Sequence, residues 1–442
     1  MQIKLSDHFT YRKLLRFTLP SVIMMIISSI YSVVDGLFVS NLVGDMALSA
    51  VNIIFPSTMI VGSIGFMLGT GGSAIVARTL GEGDRRLANR YFSMIIYSVI
   101  LLGVVLGVVC AVFIEPIAVL SGASDALMAD CISYGRILML GSALFMLQTS
   151  FQSFLVVAEK PQMGLALSIA AGVTNMVLDY VFIAVCKMGV AGAALATVAG
   201  FCVGSLIPLV YFLRAKEGLR LGRTRFYPQQ FLQTCTNGSS ELMSNISASV
   251  VGILFNIQLM RIIGEAGVAA HSVMMYVDFV FIAAFLGFSI GSAPIISYHY
   301  GADNRDELKN VFRKSMAVIA ATSLAMVAVS ELLSRPLSFA FVGYSPDLLE
   351  MTVHGFRLFA LCYFFSGINI YASAFFTALS NGAVSALLSF ARSLLLRGGL
   401  VMLLPLPLGL DGVWLSVVVA DGLAAQLAVV FLLKRRHQYH YL

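Results

Sequence analysis

Charge is what this chain has least of. Lys, Arg, Asp and Glu make up 11% of its 442 residues and 59% are hydrophobic, whereas a soluble domain carries roughly 25% charged residues. Such a composition cannot clothe a water-facing surface, so a soluble globular fold is excluded. Cysteine is sparse and scattered: Cys110, Cys131, Cys186, Cys202, Cys235 and Cys362 contain no C-x-x-C pair, which argues against a disulfide framework or a thiolate metal site. No G-x-x-x-x-G-K-[ST] occurs, and the glycine-rich run GTGGSA at 69–74 lies in an apolar stretch, so ATP hydrolysis by this chain is not expected. A cleavable leader is not expected either: MQIKLSDHFTYRKLLRF is too polar and has no small-residue cleavage site, which leaves the first span as the insertion signal.

Long apolar runs are what the chain has instead. Crossing about 30 Å of hydrocarbon takes about 20 apolar residues. Twelve segments qualify, at 14–38, 50–77, 91–112, 131–157, 162–186, 189–213, 236–260, 268–298, 315–333, 354–379, 383–405 and 412–433. They predict an all-α polytopic membrane protein of twelve transmembrane helices. With the N-terminus inside, inner segments carry 21 of the 28 Lys and Arg, and the outer connections hold only Lys187, Arg261 and Arg335. That asymmetry puts both termini in the cytoplasm and the protein in the cytoplasmic (inner) membrane. It also accounts for the net charge of +6 without a nucleic-acid partner.

The chain repeats itself. An offset of 220 residues superposes Gly44 on Gly264, Gly71 on Gly291, Gly81 on Gly301, Pro116 on Pro336, Gly135 on Gly355 and Gly189 on Gly409, and aligns GEGDRRLANR (81–90) with GADNRDELKN (301–310). Six spans per half is an even number, so the halves enter from the same side as a parallel repeat. The expected units are an N-terminal six-helix lobe at 1–213, a basic cytoplasmic linker at 214–233 and a C-terminal six-helix lobe at 234–442. Two such bundles enclose a cavity on their pseudo-twofold axis, as in secondary transporters. Small-residue pairs such as Gly65/Gly69, Gly103/Gly107 and Gly287/Gly291 suit close helix packing in lipid.

What the repeat omits is polar. At the same offset Asp35 falls on Phe255, Asn175 on Leu395, Asp179 on Gly399 and Thr197 on Val417. At 1.5 Å per residue Asp35 lies about 9 Å below the outer edge, and Asp179 and Thr197 about 12 Å. Asn175 is one turn deeper on the face of Asp179. Two carboxylates, an amide and a hydroxyl thus meet in one layer, forming an all-oxygen site for a hard cation such as Na⁺ or a place for a proton. Using the two acids only to tie helices together would be costly in lipid. Pro20, fifteen residues before Asp35, permits a kink in span one. Glu241, near the inner start of span seven, reads as a snorkelling carboxylate or a cavity acid. Asp278 reads as a cavity acid for cationic compounds or as the partner of Arg392 or Arg397. Met274 and Met275 are candidates for an adaptable pocket wall.

The twelve spans in two lobes, the LP-x₁₄-D of Pro20 and Asp35, and the N-x-x-x-D of Asn175 and Asp179 followed by Thr197 resemble the multidrug and toxic compound extrusion (MATE) transporters over nearly the whole chain. The resemblance implies a cation/drug antiporter with a V-shaped cavity, an N-lobe site for Na⁺ or H⁺ at these four residues, and bending of span one on protonation. Some members of the family hold further acids for Na⁺ in the C-lobe, a pattern that Glu241 and Asp278 do not match. The expectation is a monomeric efflux antiporter for amphiphilic, often cationic, organic compounds, with no cofactor beyond the coupling ion. The alternative is a flippase for lipid-linked precursors, which would line its cavity with cationic residues. An enzyme is not expected, because the six histidines are dispersed and no Asp-rich metal motif occurs.

Overall fold

A computed structural model describes residues 3–343 and 345–442, leaving aside the side chains at 32, 33, 36–38, 40, 41, 45 and 265. Among the described residues the chain is helical, with no strand. The first half comprises α1 (Tyr11–Leu42), α2 (Asp45–Gly81), α3 (Arg85–Val112), α4 (Ile114–Leu120), α5 (Asp125–Leu140), α6 (Ser142–Val157), α7 (Pro161–Asp179) and α8 (Gly189–Arg214). The second comprises α9 (Pro228–Ile262), α10 (Glu265–Gly301), α11 (Arg305–Val342), α12 (Pro346–Ala360), α13 (Tyr363–Ala378), α14 (Gly382–Phe390), α15 (Arg397–Leu403) and α16 (Pro405–Tyr439). In lipid every backbone polar group must be satisfied within the chain, which is why apolar runs of this length become helices.

Among the described residues ten helices are long and apolar enough to cross a membrane. Two bent pairs, α5 with α6 at 52° and α12 with α13 at 46°, bring the total to twelve. The bends are a feature that uniform hydropathy concealed, since 131–157 and 354–379 read as single spans. They fall at Gly141 and Leu361, 220 residues apart. The repeat also holds in backbone detail. Gly44 and Gly264 have φ of 120° and 82°, Gly189 and Gly409 both 60°. Asp84 and Asn304 cap the same turn, accepting from the N–H groups of Leu87 and Glu307.

The lobes meet along α1 against α10 and α2 against α9, in the helix halves nearest the basic loops. A Cβ on Gly81 would collide with the Tyr298 carbonyl, and one on Gly301 with that of Arg78, two contacts related by the 220-residue offset. Further along, Gly71 abuts Thr234 and Gly238, while Gly287 and Gly291 abut Val22 and Thr18 of α1. Only glycine lets these backbones approach so closely. Toward the opposite ends Gly44, Gly252 and Gly264 have nothing within 4 Å of a would-be Cβ. The lobes are therefore sealed, backbone against backbone, at the basic end.

Candidate functional site

In the first lobe α1, α7 and α8 bring together the residues that the repeat omits. Asp179 ends α7 with no exposed surface, and Asn175, one turn earlier, is 3% exposed. Asp35 on α1 adjoins both of them. The Asn175 amide reaches the Thr197 hydroxyl of α8 at 3.5 Å, while that hydroxyl donates to the Ala193 carbonyl at 3.0 Å. All four predicted groups thus share one site. Both Asp179 oxygens, Asp35 Oδ1 and Asn175 Oδ1 are buried without a hydrogen-bond partner. The charged group that acts on each carboxylate is the other carboxylate. Oxygens left in this state, with no cation beside them, form a donor set that fits a proton or an oxygen-liganded monovalent cation. Sequence reasoning missed the aromatic wall: Tyr31 and Tyr134 border the pair, and Tyr31 stands one turn before Asp35 on the same face, a spacing that was readable.

The corresponding layer of the second lobe is built the other way. Asp421 of α16, also without exposed surface, accepts five hydrogen bonds: from Arg392 Nε and Nη2 at 3.1 and 2.9 Å, from Arg397 Nε and Nη2 at 2.9 and 2.9 Å, and from the Ser366 hydroxyl at 2.6 Å. Its backbone carbonyl accepts from Asn369. Arg392 and Arg397 are five residues apart, which in an α-helix would set them about 140° apart around the axis at about 100° per residue. The π-helical turn Ala391–Leu396 between α14 and α15 restores the alignment, because its repeat is i to i+5. The first lobe also has a π turn, Tyr180–Val185, directly after Asp179 and nine residues out of the 220-residue register. Pairing Asp278 with Arg392 or Arg397 is one of the two sequence readings of that acid; the ion-pair partner of both arginines is Asp421, an acid inside the last span that carries the same signal as Asp35.

Asp278 itself is 6% exposed in the interior of the second lobe, beside Tyr363 and within the field of Arg397. Met274 is wholly buried in that lobe's core with Trp414 and Phe356, which corrects its reading as a pocket wall. Met275 is 39% exposed. Glu241 is not at a helix start. It lies thirteen residues into α9 and lines a cavity of about 40 Å³ above the interlobe seal. There it is the charged residue among Thr70, Ser73, Ser153, Ser289 and Thr377, drawn from both lobes. Pro20 is inside α1, which continues through it from Tyr11 to Leu42. Among the described residues no cluster of three or more metal-ligating side chains occurs.

Comparison with known proteins decides the family. The MatE family model matches residues 20–181 and 242–401, one match in each lobe. The chain belongs to the MatE family. It is a multi-pass membrane protein of the multidrug efflux transporter family, similar over its whole length to proteins of that class. The multidrug export protein MepA of Staphylococcus saprophyticus is 23% identical over 436 residues, covering 96% of this chain and 94% of that one. Among solved structures, a MATE in complex with MaL6 superposes with a TM-score of 0.92 at 23% identity, covering 98% of each chain. An outward-facing multidrug resistance MATE transporter of the MOP superfamily superposes at 0.91, with 23% identity and 98% and 97% coverage. The two-lobed fold of these neighbours is the fold of this chain.

Proposed function

We propose that this protein is a secondary antiporter that exports amphiphilic organic cations in exchange for H⁺ or Na⁺ bound at Asp35, Asn175, Asp179 and Thr197. The observation that carries the reading is the burial of two neighbouring carboxylates, three of whose oxygens lack a hydrogen-bond partner and on which, among the described residues, no cationic side chain acts. A group in that state gains most by taking up a proton or a metal cation. The N-lobe at 1–213 and the C-lobe at 234–442 rock about the linker at 214–233. The basic end faces the cytoplasm of an inner membrane, with both termini inside, and a single chain suffices because each copy encloses its own cleft.

Mechanically, α1 links the ion site to the seal. Pro20 sits among Thr18, Ser21 and Val22, the residues against which Gly287 and Gly291 pack. Proline frees one backbone carbonyl of the helix ladder, so a shift of α1 when Asp35 is neutralised would be absorbed at Pro20 and would loosen the seal between α1 and α10. Glu241, at the apex of the cleft, offers the opposite charge to a cationic substrate. One proton entering down about 100 mV and one pH unit releases roughly 3.7 kcal/mol. Expelling a monovalent cation against the same potential takes up about 2.3 kcal/mol of it. Two ions per cycle would leave a larger gradient, and two adjacent acids can supply them. The flippase reading fares worse, because Arg392 and Arg397, the cationic groups it would draw on for a pyrophosphate, are committed to Asp421.

The test is efflux of ethidium from pump-deficient cells with pH and Na⁺ gradients imposed separately, comparing the parent with Asp35→Asn. Gradient-driven efflux that the substitution abolishes is the expected result, and the effective gradient names the ion. Well-expressed parent protein that exports none of a broad dye panel under either gradient would refute it.

A further inference from the structure

Below the carboxylate pair the first lobe holds polar groups that the proposed antiport does not yet use. Gln148 and Gln152 lie one turn apart on α6, and Ser168 faces them from α7. They are 6%, 8% and 5% exposed. Both glutamine Oε1 atoms are buried without a hydrogen-bond partner. They border a cavity of about 10 Å³, lined also by Phe151, Leu155, Leu167 and the glycines Gly164 and Gly204. That is about the room one water needs, and a polar cavity of this size takes a water where an apolar one stays dry.

The cavity continues a line that begins at the ion site. Tyr31 adjoins both Asp35 and Gln148, and its ring would be 3.4 Å from a Cβ on Gly172 of α7, midway between Asn175 and Ser168. Gly204 of α8 presses directly on the Gln148 side chain. Ser168 lies seven residues from the basic end of α7 and eleven from Asp179, about 11 and 16 Å at 1.5 Å per residue. Between the cavity and the basic end stand Leu155 and Met24, whose sulfur would be 3.4 Å from a Cβ on Gly164. Asp179 and Asn175 have almost no exposed surface, so water from outside the lobe does not reach them directly.

We propose that this cavity is a hydration site on an intralobe passage, through which the coupling cation moves between the carboxylate pair and the basic end without entering the substrate cleft. Tyr31, Gln148, Gln152 and Ser168 hand the cation or its water from one oxygen to the next, and Met24 with Leu155 forms a gate that water crosses only when it opens. Ion and organic substrate then travel by separate routes and meet only through the movement of α1. The proposal rests on the antiport reading for its cation, though not for its water.

The test uses full-length protein carrying Gln152→Met with Ser168→Ala, which removes polarity without adding bulk, beside Gln152→Asn with Ser168→Thr, which keeps polarity. Hydroxyl-radical oxidation of Met24 reports water at the gate without transport. Ethidium uptake into proteoliposomes under imposed pH or Na⁺ gradients reports coupling. The expected result is that the apolar variant loses at least severalfold in Met24 oxidation and about tenfold in gradient-driven uptake, with ethidium binding within twofold of the parent, and that the polar variant behaves as the parent. Unchanged oxidation and uptake in the apolar variant overturns the passage, and so does equal loss in both variants, which would assign these residues to packing. A parent that moves no ethidium under either gradient counts against antiport alone, since the oxidation readout is independent of it.

Discussion

Each lobe buries a carboxylate beside a π-helical turn, and the two lobes then treat it in opposite ways. Asp421 is saturated by two arginines and a serine, so nothing further can bind without breaking charge-assisted bonds inside a low-dielectric core. Asp35, Asp179 and Asn175 keep four oxygens free, three of them carboxylate oxygens, beside the Thr197 hydroxyl. The fold is repeated and the chemistry is not. The second lobe closes its charge with arginines and serves as a clasp, while the first leaves it open and can accept an ion.

The largest effect should follow from closing the open side. Asp35→Asn, or Asp179→Asn, should reduce ion-driven ethidium transport to background in proteoliposomes while leaving thermal unfolding in detergent no lower than the parent's, because a like-charge pair is removed. Opening the closed side should act on stability instead. Asp421→Asn strands two partly buried guanidinium groups and should cost a few kcal/mol, toward the lower end of the roughly 3–5 kcal/mol for a broken buried pair, seen as a fall in yield and melting temperature. Replacing the whole clasp by Asp421→Leu, Arg392→Met and Arg397→Met should restore the stability and keep ion-driven transport. Next in size, Gly81→Val puts a branched side chain onto the Tyr298 carbonyl and should prevent sealing at the basic end, which cysteine cross-linking between α2 and α10 would register as lost proximity. The smallest effect is at the rim of the ion site: Thr197→Val removes one hydroxyl, worth about 1 kcal/mol, and should weaken the apparent ion affinity by about fivefold without abolishing transport.

Much of this contrast was legible in the residues. A hydrophobic run is a one-dimensional signal, and so is a repeat, so the twelve segments, the 220-residue offset and the lone acids Asp35 and Asp179 could be read directly. What escaped depends on three-dimensional registry. Arg392 and Arg397 cannot face one acid on a regular helix, and no spacing rule announces the π turn that aligns them. Met274 and Met275 are adjacent, and only the helix's rotation decides that the first is buried in the core and the second is 39% exposed. Glu241 was placed too near a helix start because the polar residues before it, such as Gln229, Gln230 and Asn237, hid the length of α9, which begins at Pro228.

The most direct test of the contrast is the affinity of detergent-solubilised protein for ethidium, titrated against pH and Na⁺. If ion and substrate exchange at linked sites, the ion weakens ethidium binding, and the reciprocal effect follows by linkage. The dependence should vanish in the Asp35→Asn, Asp179→Asn double variant and persist unchanged when the Asp421 clasp is replaced by Leu and Met. An ion dependence that survives loss of both first-lobe acids, or that disappears with the clasp, would contradict the assignment of coupling to the first lobe.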